Sequence, residues 1–258
     1  MSKLLKSDFY RLFRSKSFYI CGFIGVALFN LSIIGLYYAT KMMADQTGNI
    51  SAIANYTGIL YGISAFADMD NQIILSIILG MFVTSEFSHG TMKNSVSKGF
   101  SRISIYFSKL ITMVVASYIV LLVTFVTGVI SGSLVTGKIG DFSKTPVVEY
   151  AKMVSVELIL YAAFAALLVF VGFLIRNLGG VIAINIIGVT MFIPILCNLL
   201  QMFTNNKVMF TYASLRDNMS VLISGTEPDY MRTIFVAVIY LVISTGIGIL
   251  AFTKTDVK

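Results

Sequence analysis

Residues able to do chemistry are scarce in this chain. One histidine, His89, and two cysteines, Cys21 and Cys197, are its whole stock of imidazole and thiol. That excludes Ser–His pairs within a bilayer and His-rich metal sites. His89 falls in a polar segment and reads as a solvated loop residue. Both cysteines fall in apolar runs, where a free thiol behaves as a small hydrophobe. No close pair of acids lies inside an apolar run, so an aspartyl-type dyad has no support. The stretch Gly132 to Lys138, G-S-L-V-T-G-K, approaches a phosphate-binding loop. Ile139 stands where a magnesium-binding Ser or Thr is needed, and no strand precedes the stretch. Gly128 and Gly132 read better as a small-residue face for helix packing. No catalytic residue, metal site or cofactor is expected in the chain itself.

Two polar residues inside apolar runs remain, Glu157 and Asn185. A charge at the bilayer centre costs roughly 2.5–3.5 kcal/mol on insertion scales, and less near the edge. Glu157 is either an outer-interface residue reaching toward Lys152 and headgroups, or a lining residue of a transport path that attracts a cationic substrate. Asn185 has the same two readings, with interhelical hydrogen bonding favoured. Pro194 is expected to kink the helix that carries Asn185.

The elements that must position these residues are membrane spans. The chain has 258 residues, 57% of them hydrophobic and 12% charged. Its mean hydropathy is +0.88. A soluble domain carries about 25% charged residues. Apolar runs of about 20 residues are needed to cross a bilayer core. They predict six spans, near 18–40, 68–85, 108–136, 153–175, 178–203 and 232–253. The second is the shortest and begins near Asp68 or earlier. The first run is too long for a signal-peptide core and has no small-x-small site after it, so it is expected to stay in the mature protein.

The net charge of +7 points to a membrane surface and not to nucleic acid, because of where the charges fall. With six spans both termini share one side. Twelve of the nineteen Lys and Arg lie on that side, five of them within the first sixteen residues. The positive-inside rule then places both termini in the cytoplasm. Residues 1–17 read as an amphipathic interfacial helix, with Leu5, Phe9, Leu12 and Phe13 on one stripe and Lys6, Arg11 and Arg14 on the other.

The segment 86–107 lies between the second and third spans on the side of the termini. Gly90 can break the second span there. Thr91 can N-cap a short helix through Lys98, and Gly99 suits the left-handed residue that ends it. Ser101 can cap the third span, with Arg102 and Lys109 at phosphate depth. Glu86 can hold Arg102 or Lys109 in a partly exposed pair worth about 1 kcal/mol or less. A short helix held parallel to the membrane suits docking to a soluble partner. The segments 41–67 and 204–232 on the other side are polar, with apolar patches able to form partial helices.

Over its whole length the chain resembles the permease subunits of ABC type-2 transporters. The resemblance rests on the opening L-L-K-S-D-F-Y-R-L-F-R-S-K-S-F, on six spans, on E-x-x-x-G-T-x-K from Glu86 to Lys93, and on G-x-S-R-x-x-x-Y-x-x-K from Gly99 to Lys109. It implies an all-α integral membrane fold whose loop after the second span forms a coupling helix on a separate ATPase. It assigns that coupling to Glu86, Gly90, Thr91, Lys93, Gly99, Ser101, Arg102 and Lys109. It also implies ATP and magnesium on the partner ATPase, a second permease copy or paralogue, and export of an amphipathic substrate, with peptides favoured. A secondary transporter or channel without an ATPase is the rival, and it predicts paired broken helices that the sequence does not display. A membrane scaffold or sensor is the third reading.

Overall fold

The structure, a computed structural model, describes residues 1–47, 57–140, 146–204, 210–224 and 229–254. Lys144, Lys207 and Lys258, three of the charges used for the orientation, lie outside them. The described residues are helical throughout, with no strand among them. Six helices are long and apolar enough to cross a membrane.

The chain opens with α1, Ser2–Arg14, which ends where Ser15 turns to extended backbone. The long first span follows as α2, Lys16–Thr47. A shorter apolar helix, α3, Gly58–Ala67, leads into the second span α4, Met69–Ser88. The break is chemical. Asp68 is extended, and its side chain accepts from the Asn71 amide and caps α4. The carbonyls freed at the end of α3 find donors too: Asn71 Nδ2 donates to Ala65 O at 2.9 Å, and the Tyr161 hydroxyl donates to Phe66 O at 2.6 Å. A helix interrupted within a bundle must be satisfied in this way.

After α4 come the short α5, Thr91–Ser97, and the third span α6, Arg102–Thr136. At 35 residues α6 is about 52 Å long, well beyond a hydrocarbon core of about 30 Å. The fourth span is α7, Val147–Ile175. Arg176 ends it in the left-handed conformation at φ 58°, and Asn177 caps the next helix, so only two residues turn the chain. The fifth span is not one regular helix. It begins as α8, Leu178–Ala183, widens into a π-helical stretch over Ile184–Phe192, and resumes as α9, Ile193–Phe203. Pro194 lies in the first turn of α9. Its missing N–H and bulky ring disfavour a regular α-helical turn just before it, which the wider π stretch accommodates. The expected kink is thus a change of helix type. Beyond a short α10, Leu215–Ser224, the sixth span is α11, Tyr230–Lys254.

Burial sorts these helices. About two-thirds of the apolar windows of α4 and α7 are enclosed by the rest of the chain, against 17% for α2 and 22% for α11. The inner pair carries the core, which includes Leu75, Leu79, Leu160 and Phe164. The outer spans present Phe23, Leu31, Phe235 and Val242 outward, as lipid-facing helices do. Two glycine pairs set the closest approach. Gly58 and Gly62 of α3 lie against Gly128 and Gly132 of α6, and a Cβ at Gly132 would sit 3.2 Å from Gly58 Cα. The Gly128–Gly132 packing face is therefore present, and its partner is a second four-residue glycine spacing on α3.

Candidate functional site

At one end of the bundle α1, α4, α5 and the foot of α6 converge. The C-terminal end of α11 lies there too, because Arg102 donates to both Phe252 O and Thr253 O at 2.9 Å. Arg102 thus satisfies terminal carbonyls of α11 and lies near the Phe252 ring, in keeping with the negative end of a helix dipole. It does not pair with Glu86.

Glu86 pairs instead with Lys109 and with Arg11. Lys109 also binds Asp8 of α1. The Ser108 hydroxyl donates to the second Asp8 oxygen at 2.6 Å. Arg11 donates to Phe82 O at 3.1 Å with its guanidinium 4.0 Å above the Phe82 ring. The result is a neutral four-charge cluster joining three helices. Asp8, Glu86 and Lys109 are each at most 6% exposed. The sequence expectation of a partly exposed Glu86 pair is therefore corrected: these charges are enclosed. Removing one partner of a buried pair typically costs 3–5 kcal/mol, not a fraction of one.

Asp8 also corrects the reading of residues 1–17. The helix stops at Arg14, and its inward face is Leu4, Asp8 and Leu12, one turn apart each. Phe13, placed on the apolar stripe from its spacing, is 45% exposed. Asp8 is the only acid in that basic segment and falls in register with Leu4 and Leu12, which is the signal that could have found it.

The short helix α5 stands where the sequence put one, with different caps. Gly90 is its N-cap, at φ +66° in the left-handed region. Thr91 does not cap it. Its hydroxyl donates back to Glu86 O at 3.3 Å and ties the helix to the ion cluster. Gly99 closes the segment at φ +82°, and its amide donates to Val96 O. The Ser101 side chain accepts from the Ser104 amide and caps α6. Met92 is buried, while Lys93, Asn94 and Lys98 are exposed. His89 is exposed as well, its Nδ1 2.7 Å from Ser85 O. A cavity of about 190 Å³ lies between α1, α5 and the cluster, lined by Ser7, Asp8, Arg11, Glu86, Thr91 and Lys109 among others.

The second polar group lies deep in the bundle. Glu157 is fully enclosed, which overturns the outer-interface reading. Lys152 pairs with Glu149 instead, and Glu149 accepts from Tyr230 at 2.6 Å. Neither Glu157 oxygen has a hydrogen-bond partner. Tyr161 lies one turn on, and its hydroxyl donates to Phe66 O at 2.6 Å. Asn185 opens the π stretch and donates to Ser76 Oγ, which donates in turn to Gln72 O at 2.5 Å. The interhelical hydrogen bond favoured for Asn185 is thus formed. Gln72, Ser76 and Tyr161 were not singled out in the sequence.

Six span-length helices and a fold held from within by their polar contacts define a multi-pass helical membrane protein. Residues 4–192, well over half of the chain, match the family described as ABC-2 family transporter protein. The chain belongs to that family and is the transmembrane, permease component of an ABC transporter. A comparison with curated proteins finds no match.

Proposed function

We propose that the chain is an exporter permease driven by ATP hydrolysed on a separate ATPase, with both termini in the cytoplasm. The observation that carries this reading is the buried cluster Asp8–Lys109–Glu86–Arg11. It fastens α1 and the base of α5 to the foot of α6, so a push on α5 reaches the third span without slack. Lys93 on α5 and Lys98 at its C-terminal cap are exposed charges and would meet the ATPase. Gly90, Thr91, Gly99 and Ser101 set the angle of α5, and Arg102 joins α6 to the end of α11. Two permease copies, alike or related, would enclose the path, since α2 and α11 leave most of their apolar surface uncovered. The substrate would be amphipathic, with antimicrobial or other peptides favoured and export or self-immunity as the purpose. Glu157 and Asn185 would join the path when the bundle opens.

Two measurements test this. Lys93→Glu should lower ATPase co-purification severalfold, while Glu86→Gln should weaken transport-coupled hydrolysis. If both variants keep full recruitment and full substrate-stimulated hydrolysis, α5 is only a connector. For orientation, single cysteines at Lys98 and Arg216 are probed from intact cells with an impermeant reagent. Position 216 should label and position 98 should not; the reverse pattern would invert the assignment.

A further inference from the structure

Asp68, which separates α3 from α4, stands at membrane depth. Phe66, two residues before it, packs on Phe125, near the middle of the uncharged run Leu110–Gly137. An ionisable side chain at that depth is costly and marks a functional site by default. One Asp68 oxygen accepts from the Asn71 amide at 3.2 Å and caps α4. A carboxylate can accept several donors, so the cap leaves acceptor positions over. Among the described residues no Lys or Arg pairs with Asp68. The nearest charge in sequence is a second acid, Asp70.

Asp68 is only partly buried, and it lines a groove of about 520 Å³ between α2 and α3. The groove's buried lining is apolar: Phe29 and Ile33 of α2 and Tyr61 of α3. Gly35 and Leu36 line it too and are exposed. A Cβ at Gly35 would meet nothing within 4 Å, so the space beside it is open. Of the six spans α2 is the least enclosed. The groove therefore opens on the side of the bundle and not into the core around Glu157.

We propose that this groove takes the cationic end of an amphipathic substrate, with its ammonium or guanidinium against Asp68 and its apolar body along α2. The proposal rests on the exporter reading and narrows its substrate class. Charge complementarity carries it. Apolar walls with one carboxylate that has no cation match an apolar body with one positive head. A neutral chain would leave Asp68 without a counter-charge, and an anionic head would be repelled by Asp68 and Asp70. The volume is within the usual range of ligand pockets.

The test uses the full-length chain in nanodiscs of zwitterionic lipid. Two photoreactive probes share one alkyl chain and differ in the head: a diazirine-bearing dodecylammonium and a diazirine-bearing dodecanoate. The ammonium probe should label residues 29–39 saturably, about tenfold more than the carboxylate probe. Asp68→Asn keeps a good N-cap and removes the charge, so its unfolding midpoint should stay near wild type while ammonium labelling falls to the carboxylate level. Gly35→Leu fills the groove with Asp68 intact and should lower labelling by both probes. Equal labelling by the two heads, or ammonium labelling that survives Asp68→Asn, overturns the site. Gly35→Cys that crosslinks to a second copy, with no probe labelling, also overturns it and gives the groove to a subunit interface. Should Asp68→Asn fail to fold, the comparison of heads and Gly35→Leu decide. Labelling needs no ATPase, so the two readings can fail separately. Labelling without ATP-dependent export of the ammonium probe would count against the exporter and keep the groove as a cation site. Export without labelling would keep the exporter and sink the groove.

Discussion

Lys109→Met is expected to destabilise the folded chain by about 3–5 kcal/mol and to abolish coupling to ATP hydrolysis. Among the described residues Lys109 is the only cation that touches both acids of the cluster, Asp8 on α1 and Glu86 on α4. Methionine fills nearly the same volume, so little cavity is made. What is left is electrostatic: two enclosed carboxylates, with Arg11 bound to only one of them. Asp8 would keep just the Ser108 hydroxyl. Adding Asp8→Asn restores neutrality, because Arg11 and Glu86 still pair. The double variant Lys109→Met with Asp8→Asn should therefore recover about half of the loss or more. A double-mutant cycle built on these variants should show an interaction energy of at least about 1 kcal/mol, as for side chains in direct contact. Additive losses would mean that the cluster is merely adjacent charge. Recovery of stability without recovery of substrate-stimulated hydrolysis would separate the two roles, since the neutral cluster no longer fastens α1 to α6.

The spans were legible because length and hydropathy fix them. Runs such as 108–136 and 232–253 carry no internal acid to blur the signal, and helices α6 and α11 contain them. Capping was legible where a side chain acts on its own turn, as at Ser101, or where backbone sign is decisive, as at Gly99. Thr91 shows the limit. A threonine beside a glycine reads as a cap, but Gly90 takes the cap position and the hydroxyl turns back to Glu86. The wider failures all come from contacts distant in sequence. Asp8 meets Lys109 about a hundred residues away, and nothing local to α1 marks the acid as buried. Arg102 lay near Glu86 in the sequence but was drawn to the carbonyls of Phe252 and Thr253. Glu157 sits only five residues after Lys152, yet one and a half helical turns carry it from the wet end of α7 into the core. The π-helical form of the fifth span escaped, because Pro194 marks an irregularity without giving its kind.

Gly62→Ala should destabilise the chain by about 1–3 kcal/mol, the usual cost of forcing atoms into a filled contact, although alanine is the better helix former. A Cβ at Gly62 would lie 2.9 Å from Phe125 O, and backbone cannot move aside as a flexible side chain does. Gly132→Ala meets the same obstacle from the other helix, with its Cβ 2.8 Å from that of Tyr61 and 3.2 Å from Gly58 Cα. The control is Gly35→Ala on α2, where a Cβ meets nothing within 4 Å. There propensity acts alone, and a gain of up to about 1 kcal/mol is expected. Opposite signs for the same substitution separate packing from propensity, and unfolding midpoints of the three purified variants measure it. Equal small gains at all three positions would mean that α3 is not seated against α6. The effect should also reach the core. α3 is tied at its start by Gly58 and Ile59 amides bonded to Lys138 O and Ile139 O, and at its end by the Tyr161 bond to Phe66 O. Lifting α3 strains that last bond, so Gly62→Ala should disturb the neighbourhood of Tyr161, about one helical turn beyond the substitution. Amide exchange in residues 65–72 should then speed up by at least tenfold, while α5 at the opposite end keeps its wild-type rate, because the ion cluster that holds it does not touch α3.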